Sequence, residues 1–234
     1  YYLASLDWDL ILVARRRDRL DEIKNKVKTK VQVICADLAE EKDVFKVYEA
    51  TKNENIDFLI NNAGFGLFGN TYETDLDREL EMINVNVKTV HILTKLFLKD
   101  FMKKDSGHIL NVASAAGFLA GPRLNTYYAT KNYCLKYTMA IYEELRRAKS
   151  NVHISALCPG PVKTEFNKVA GGKFNIESEQ SKRVAKLAVD QTLKNKLLIV
   201  PGISTKLGLF FNRFFFYILS LAIVYKIQVR KTRK

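Results

Sequence analysis

The stretch Leu10-Ile-Leu-Val-Ala-Arg-Arg-Arg-Asp-Arg-Leu-Asp-Glu-Ile-Lys-Asn-Lys-Val-Lys-Thr-Lys-Val-Gln-Val-Ile-Cys-Ala36 changes its hydrophobic period twice. Leu10 to Ala14 is a short unbroken apolar run, Leu20, Ile23 and Val27 then recur at helical spacing, and residues 31–36 return to a short apolar run. An unbroken run of that length is what a parallel strand covered on both faces requires. The same alternation continues with a helical pattern over 40–53 and an apolar run over 56–60. Strand, helix, strand, helix predicts an α/β fold with a doubly wound parallel sheet. The preceding residues, 1–9, read as the last turns of a helix followed by a turn.

Further along, a long helical pattern covers about 75–104, and inside it Asn86 stands between Val85 and Val87. A polar residue there disfavours a regular helix and predicts a bend. Residues 108–113 read as a buried strand closing at Ser114, residues 127–150 as a helix, and 152–157 and 197–200 as strands. A chain of 234 residues can bury one large core. A single domain is therefore expected over 1–206, with 207–234 as a phenylalanine-rich apolar segment ending in a basic tail.

Chemistry enters at Tyr127 and Lys131, which lie one helical turn apart just after Ser114. A free phenol has a pKa near ~10, and an ammonium nearby favours the phenolate and lowers that value. The Ser114 hydroxyl facing the phenol suits holding a carbonyl oxygen in line for a proton. The spacing alone does not decide the matter, because Tyr48 and Lys52 share it and read as a helix surface pair.

The surrounding residues resemble the short-chain dehydrogenase/reductase family, NAD(P)-dependent oxidoreductases on a Rossmann-type sheet. The resemblance rests on Asn61-Asn62-Ala63-Gly64, Asn86, Asn111-Val-Ala-Ser114-Ala-Ala-Gly117, Tyr127-x-x-x-Lys131 and Pro159-Gly160-Pro161-Val162-x-Thr164. These occur in the family's order, with Ser114 thirteen positions before Tyr127, and the likeness runs to about the last thirty residues. It implies Asn86, Ser114, Tyr127 and Lys131 as catalytic residues. Tyr127 would exchange the proton, Lys131 would lower its pKa and hold the ribose, Ser114 would orient the carbonyl, and Asn86 would position a water. The family match favours Asn86 over its neighbour Asn84.

The resemblance also implies a cofactor site. Arg15, at the end of the first strand, suits the 2′-phosphate of NADP(H), which is favoured over NAD(H); a solvated basic turn is the other reading of 15–17. Asp37 matches a residue that contacts adenine, or else caps a helix with Glu40. Asn62, Ala63 and Gly64 brace the sheet and touch the ribose side. Tyr127 and Lys131 meet the nicotinamide riboside, and Pro159, Gly160, Val162 and Thr164 lie along the nicotinamide. Residues 165–183, with their paired Gly171 and Gly172, fall where the family keeps a mobile substrate lid.

The family opens with a strand and a glycine-rich turn, whereas the first glycine here is Gly64. The first strand and glycine-rich loop are therefore expected to belong to a longer protein; a natural variant without that loop is the rival. The expected function is hydride transfer between NADP(H) and an apolar ketone, 3-oxoacyl group or secondary alcohol. The alternative is a non-catalytic membrane-surface or interaction protein that keeps the fold. Epimerase or dehydratase chemistry also uses a Tyr and Lys pair, but such relatives need a larger C-terminal substrate region than this chain has.

The net charge of +13 concentrates at the C-terminus, where Lys226, Arg230, Lys231, Arg233 and Lys234 fall in the last nine residues. No nucleic-acid motif accompanies it, so no nucleic-acid partner is expected. Cys35, Cys134 and Cys158, like the three histidines, lack ligand or disulfide spacing, and no metal is expected. Scattered reduced thiols suit the cytoplasm. The resemblance implies a homo-oligomer, because the family's two long helices form its dimer face. Residues 207–225 are strongly apolar but interrupted by Asn212 and Arg213, and the unbroken part, 214–225, is too short for a span; the segment suits either a peripheral contact with an anionic membrane or packing over the pocket or a neighbouring subunit.

Overall fold

A computed structural model describes residues 1–166, 170–171, 179–212 and 217–232. Strand β1 (Leu10–Ala14) runs parallel to β2 (Val31–Cys35), with Leu10 opposite Val31 and Ala14 opposite Cys35. Between them α1 (Arg17–Lys24) buries Leu20. Next, α2 (Glu41–Thr51) buries Val44, Val47 and Thr51, the i, i+3, i+7 stripe of a helix lying on a sheet. Ahead of β1 a single 3₁₀ turn (Ala4–Leu6) ends at Asp7 in the left-handed region, close to the turn expected there.

The main sheet begins with β3 (Phe58–Asn61), β4 (Gly107–Val112) and β5 (Val152–Leu157). A short parallel ladder of β6 (Val162–Lys163) and β7 (Glu179–Gln180) intervenes, and β8 (Leu198–Ile199) completes the order β3-β4-β5-β8, all parallel. Successive residues of β4 face opposite layers. Ile109, with Ile154 of β5, meets Leu93, Phe97 and Phe101 on one side and Ile141 and Leu145 beside them. Leu110, with Leu157, meets Val184, Ala188 and Ile199 on the other. Helices thus cover both faces, and the sheet is a Rossmann-like, doubly wound parallel sheet.

The long helix predicted over 75–104 is three segments: α3 (Leu76–Ile83), a π-helical turn (Asn84–Thr89) and α4 (Val90–Lys104). Asp75 caps α3 by accepting a hydrogen bond from the Arg78 N–H. The bend read from Asn86 is this π turn. After α4 the chain reverses through Asp105 at φ 46° and Gly107 at φ 138°. A Cβ on Gly107 would stand 2.6 Å from the Phe101 ring, so both backbone and packing demand glycine there. Helix α5 (Asn125–Arg147) starts two residues before the predicted point and carries Tyr127 and Lys131 on its first turns.

β1 and β2 form a ladder separate from the main sheet. A cleft of about 960 Å³ lies between them, lined by Leu10 and Leu12 on one side and by Phe58 and Ile60 on the other. In the doubly wound order a central strand stands between such edges; among the described residues none does. Of the expected lid, residues 167–169 and 172–178 lie outside the described residues, and residues 179–183 form β7 and the start of α6 (Ser181–Thr192). The apolar segment predicted from 207 falls on α7 (Ile203–Asn212) and α8 (Tyr217–Thr232), with 213–216 outside the described residues.

Candidate active site

Each predicted site residue follows the carboxyl end of a parallel strand or lies on a helix beside it. Arg15 follows β1, Asp37 follows β2, Asn62 follows β3, Ser114 follows β4 and Pro159 follows β5. That edge is where doubly wound sheets bind ligands.

Ser114 is held in an extended conformation (φ −172°, ψ 162°) and caps a short 3₁₀ turn, its Oγ accepting from the Ala116 N–H at 3.1 Å. Its hydroxyl also reaches the Pro159 carbonyl at 3.4 Å, which ties the β4 and β5 loops together. The turn is fastened to α5 by Asn132, whose Nδ2 donates to the carbonyls of Ala116 (3.1 Å), Leu119 (2.7 Å) and Tyr128 (2.9 Å). Asn132 was missed by sequence reasoning. Its signal is a short polar side chain on the third turn of a helix whose partner is an irregular loop, a position where side-chain amides satisfy loose carbonyls.

Tyr127 faces the Ser114 side chain and packs its ring against Phe166 at 5.2 Å between centroids. Lys131 is 5% exposed and its Nζ donates to the Val112 carbonyl at 2.7 Å, 5.8 Å from the Tyr127 ring centroid. The sequence predicted an ammonium that lowers the phenol's pKa. Instead, burial pushes the Tyr127 phenol up to about 12, with the Ser114 hydroxyl pulling the other way. Burial also pushes the Lys131 ammonium below its ordinary value. Desolvation disfavours both charged forms, and at this separation it outweighs attraction between them.

Asn86 is fully buried at the π turn. Its Oδ1 accepts from the Phe65 N–H (3.1 Å), and its Nδ2 donates to the Phe65 carbonyl (2.9 Å) and to Thr130 Oγ1 (3.1 Å). Thr130 in turn donates to the Tyr127 carbonyl at 2.7 Å, so Asn86 is linked to the backbone of α5. A Cβ on Gly64 would stand 2.9 Å from Asn86 Oδ1 and 3.3 Å from Lys131 Nζ. Gly64, Asn86 and Lys131 therefore meet at one point. Asn61 braces the layer beneath, donating to Asn111 Oδ1 (2.8 Å) and Thr94 Oγ1 (3.0 Å), while Asn111 donates to Thr138 (3.0 Å).

On the adenosine side the structure brings Arg15 and Asp37 together at 3.6 Å, with Glu81 at 3.2 Å from the same guanidinium nitrogen. All are solvent-accessible, and exposed pairs of this kind contribute little. Asp37 is not the cap of α2, which begins after Glu40; its Oδ1 accepts from the Ala39 N–H at 3.0 Å in a local turn. Asn62 and Ala63 line the cleft beside β1. Gly160 lies under Thr205 of α7, Val162 is in β6, and Thr164 Oγ1 accepts from the Phe166 N–H at 3.2 Å.

Beside Tyr127 an apolar cluster joins Phe68, Leu119 and Tyr127 to Ala116, Leu124, Tyr128 and Val224. Val224 comes from α8, whose buried Gln228 donates to the Tyr128 hydroxyl at 2.6 Å. Sequence reasoning left this helix's role open between pocket, neighbour and membrane; one face of it packs on the cluster around Tyr128.

Residues 1–173 match the family model for short chain dehydrogenases. The chain belongs to that family. Among its relatives is the very-long-chain 3-oxoacyl-CoA reductase of Homo sapiens, 31% identical over 175 residues that cover 71% of this chain and 55% of that protein. An uncharacterised oxidoreductase of Staphylococcus epidermidis is 32% identical over 158 residues, 66% of this chain and 67% of its own. The chain thus spans about half the length of the human reductase. Two solved short-chain dehydrogenases share the fold: one from Sphingobium yanoikuyae in complex with NADPH (TM-score 0.81, 23% identity, 91% of this chain and 86% of that one) and one from Burkholderia phymatum in complex with NAD (TM-score 0.81, 22% identity, 90% and 85%). Such dehydrogenases work with a nicotinamide nucleotide, and the residues here suit its nicotinamide end. Lys131 keeps donors beyond its bond to Val112, which suit hydroxyl groups, and its neighbour Gly64 leaves the approach open. For the pyrophosphate the described residues offer no glycine-rich strand-to-helix turn.

Proposed function

We propose that this protein is an NADP(H)-dependent reductase of apolar ketones or 3-oxoacyl groups. The observation that carries the reading is the placement of Ser114, Tyr127 and a buried Lys131, which has no carboxylate partner among the described residues, beside one apolar cluster. When bound, the nicotinamide supplies the hydride. Tyr127, protonated at neutral pH because burial holds its pKa up, donates its proton to the carbonyl oxygen. Ser114 hydrogen-bonds the same oxygen and fixes its direction. Lys131 binds the ribose hydroxyls and supports the phenolate as it forms. Asn86 holds the start of α5 in place and keeps the Gly64 loop against Lys131. Arg15 binds the 2′-phosphate, for which it exchanges its exposed pairing with Asp37 and Glu81. Phe68, Leu119 and Phe166 suit an apolar substrate, and the 3-oxoacyl choice is supported by the name of the human relative.

The test is turnover of a long-chain 3-oxoacyl thioester and of an apolar ketone with NADPH and with NADH. Tyr127→Phe is expected to lower kcat by roughly 10²- to 10⁴-fold with nucleotide binding intact. Arg15→Gln is expected to weaken NADPH and leave NADH unchanged. Full turnover by the Tyr127 variant overturns the mechanism, and equal use of both nucleotides by the wild-type protein overturns the NADP assignment.

A further inference from the structure

Helix α8 is apolar on two sides. Its inward side carries Val224 and Gln228, 6% and 0% exposed, against the cluster around Tyr128. On another side Leu219, Ile223 and Ile227 follow at i, i+4, i+8 and are 48%, 39% and 40% exposed. Helix α7 repeats the pattern with Ile203, Leu207 and Phe211 at 77%, 51% and 56%. A helix on the outside of a globular domain needs one apolar stripe, facing inward. Two successive helices with a second, outward stripe form a surface fitted to an apolar partner.

The charge pattern selects the partner. From Gln191 to Lys234 the sequence has nine Lys or Arg and no Asp or Glu. Lys206 on α7 and Lys226 on α8 are exposed. A second copy of the same surface would bring like charges together, whereas an anionic bilayer offers acyl chains to the stripes and headgroups to the bases. Among the described residues no helix is long and apolar enough to cross a membrane, so the geometry is that of helices lying in the interface. We propose that α7 and α8 dock this protein on an anionic phospholipid surface. Through Val224 and the hydrogen bond from Gln228 to Tyr128, the docked helix also packs on the cluster that contains Tyr127.

The experiment is flotation of the full chain with vesicles of phosphatidylcholine alone and of phosphatidylcholine mixed with phosphatidylglycerol, at low and high salt. Partition to the mixed vesicles, weakened by salt and weak on phosphatidylcholine, is expected. The Lys206→Gln/Lys226→Gln variant should partition roughly 25-fold less at low salt, since each surface base is worth about a fivefold factor. The Leu219→Ser/Ile223→Ser/Ile227→Ser variant should lose roughly tenfold or more. All five side chains are exposed, so circular dichroism should be unchanged. Absence of partition by the wild-type chain, or equal partition to both vesicle types, overturns the proposal. So does a wild-type dimer that the triple serine variant converts to monomer without any change in vesicle binding. Vesicle partition needs no turnover, so its failure is distinguishable from failure of the reductase reading.

Discussion

Gly64→Ala tests the point where the site is most tightly closed. The new methyl carbon would meet Asn86 Oδ1 at 2.9 Å and Lys131 Nζ at 3.3 Å. Neither neighbour can yield freely. Asn86 is fully buried and fixed by its bonds to Phe65 and Thr130, and Lys131 is fixed by Val112. Overpacking of this kind costs about 1–3 kcal/mol, and a strained amide hydrogen bond about 1 kcal/mol more. Against this, alanine stabilises by about 0.4–1 kcal/mol by narrowing the unfolded ensemble. The net expectation is a loss of about 2 kcal/mol, read as a lower denaturation midpoint at constant m-value. Gly208→Ala is the control, because a Cβ there meets nothing within 4 Å and the residue lies inside α7. It should be neutral or stabilise by up to about 1 kcal/mol. If Gly64→Ala unfolds within about 0.5 kcal/mol of the wild type, the contact between the Gly64 loop and the π turn is not what holds this corner.

Two further outcomes follow from buried and capped charges. Lys131→Met removes a desolvated ammonium whose protein partner is one carbonyl, so the unfolding midpoint should stay or rise while turnover is lost; a loss above about 2 kcal/mol would refute it. Because the folded pKa of Lys131 is lowered, the unfolded chain holds more protons between that value and ~10.4, and this group's contribution to stability rises with pH across that window. Asp105 has the opposite exposure but the same direction of shift. Its carboxylate accepts from the Asn151 backbone (2.9 Å), the Ser150 hydroxyl (2.9 Å) and the Asn151 amide (2.8 Å), which lower its pKa. Its stabilisation is complete above ~3.9 and is lost as pH falls through the lower folded value. Asp105→Asn should flatten the acid limb of stability against pH and leave the alkaline limb unchanged.

The sheet was legible because its strands are short apolar runs that need no knowledge of their partners. β5 was read at its observed bounds, and β1 likewise. Helix ends were less legible: α1 stops at Lys24, since Val27 belongs to the turn beyond it. Asn86 shows why. A sequence can say that a polar residue disturbs a helix, but the form of the disturbance depends on what lies opposite. Here Phe65 offers both a carbonyl and an N–H, and an Asn amide that satisfies both fixes the helix in a wider π turn. Likewise, nothing local in α8 tells Gln228 from any surface amide; its partner Tyr128 lies a hundred residues away.

The candidate residues were legible and their electrostatics were not, for a reason of distance and medium. Reading Tyr127 and Lys131 as an i, i+4 pair assumes that attraction between charges dominates. The structure puts the ammonium 5.8 Å from the ring centroid, enclosed with few polar neighbours. Under those conditions each charge is disfavoured first by losing water, which raises the phenol and lowers the ammonium. The site by itself thus favours a neutral phenol, the form that donates a proton. Hydroxyl groups arriving at Lys131 would return polar partners to Nζ, strengthen its charge and draw the phenol's pKa down. Acidity at Tyr127 is then coupled to whether Lys131 has such partners.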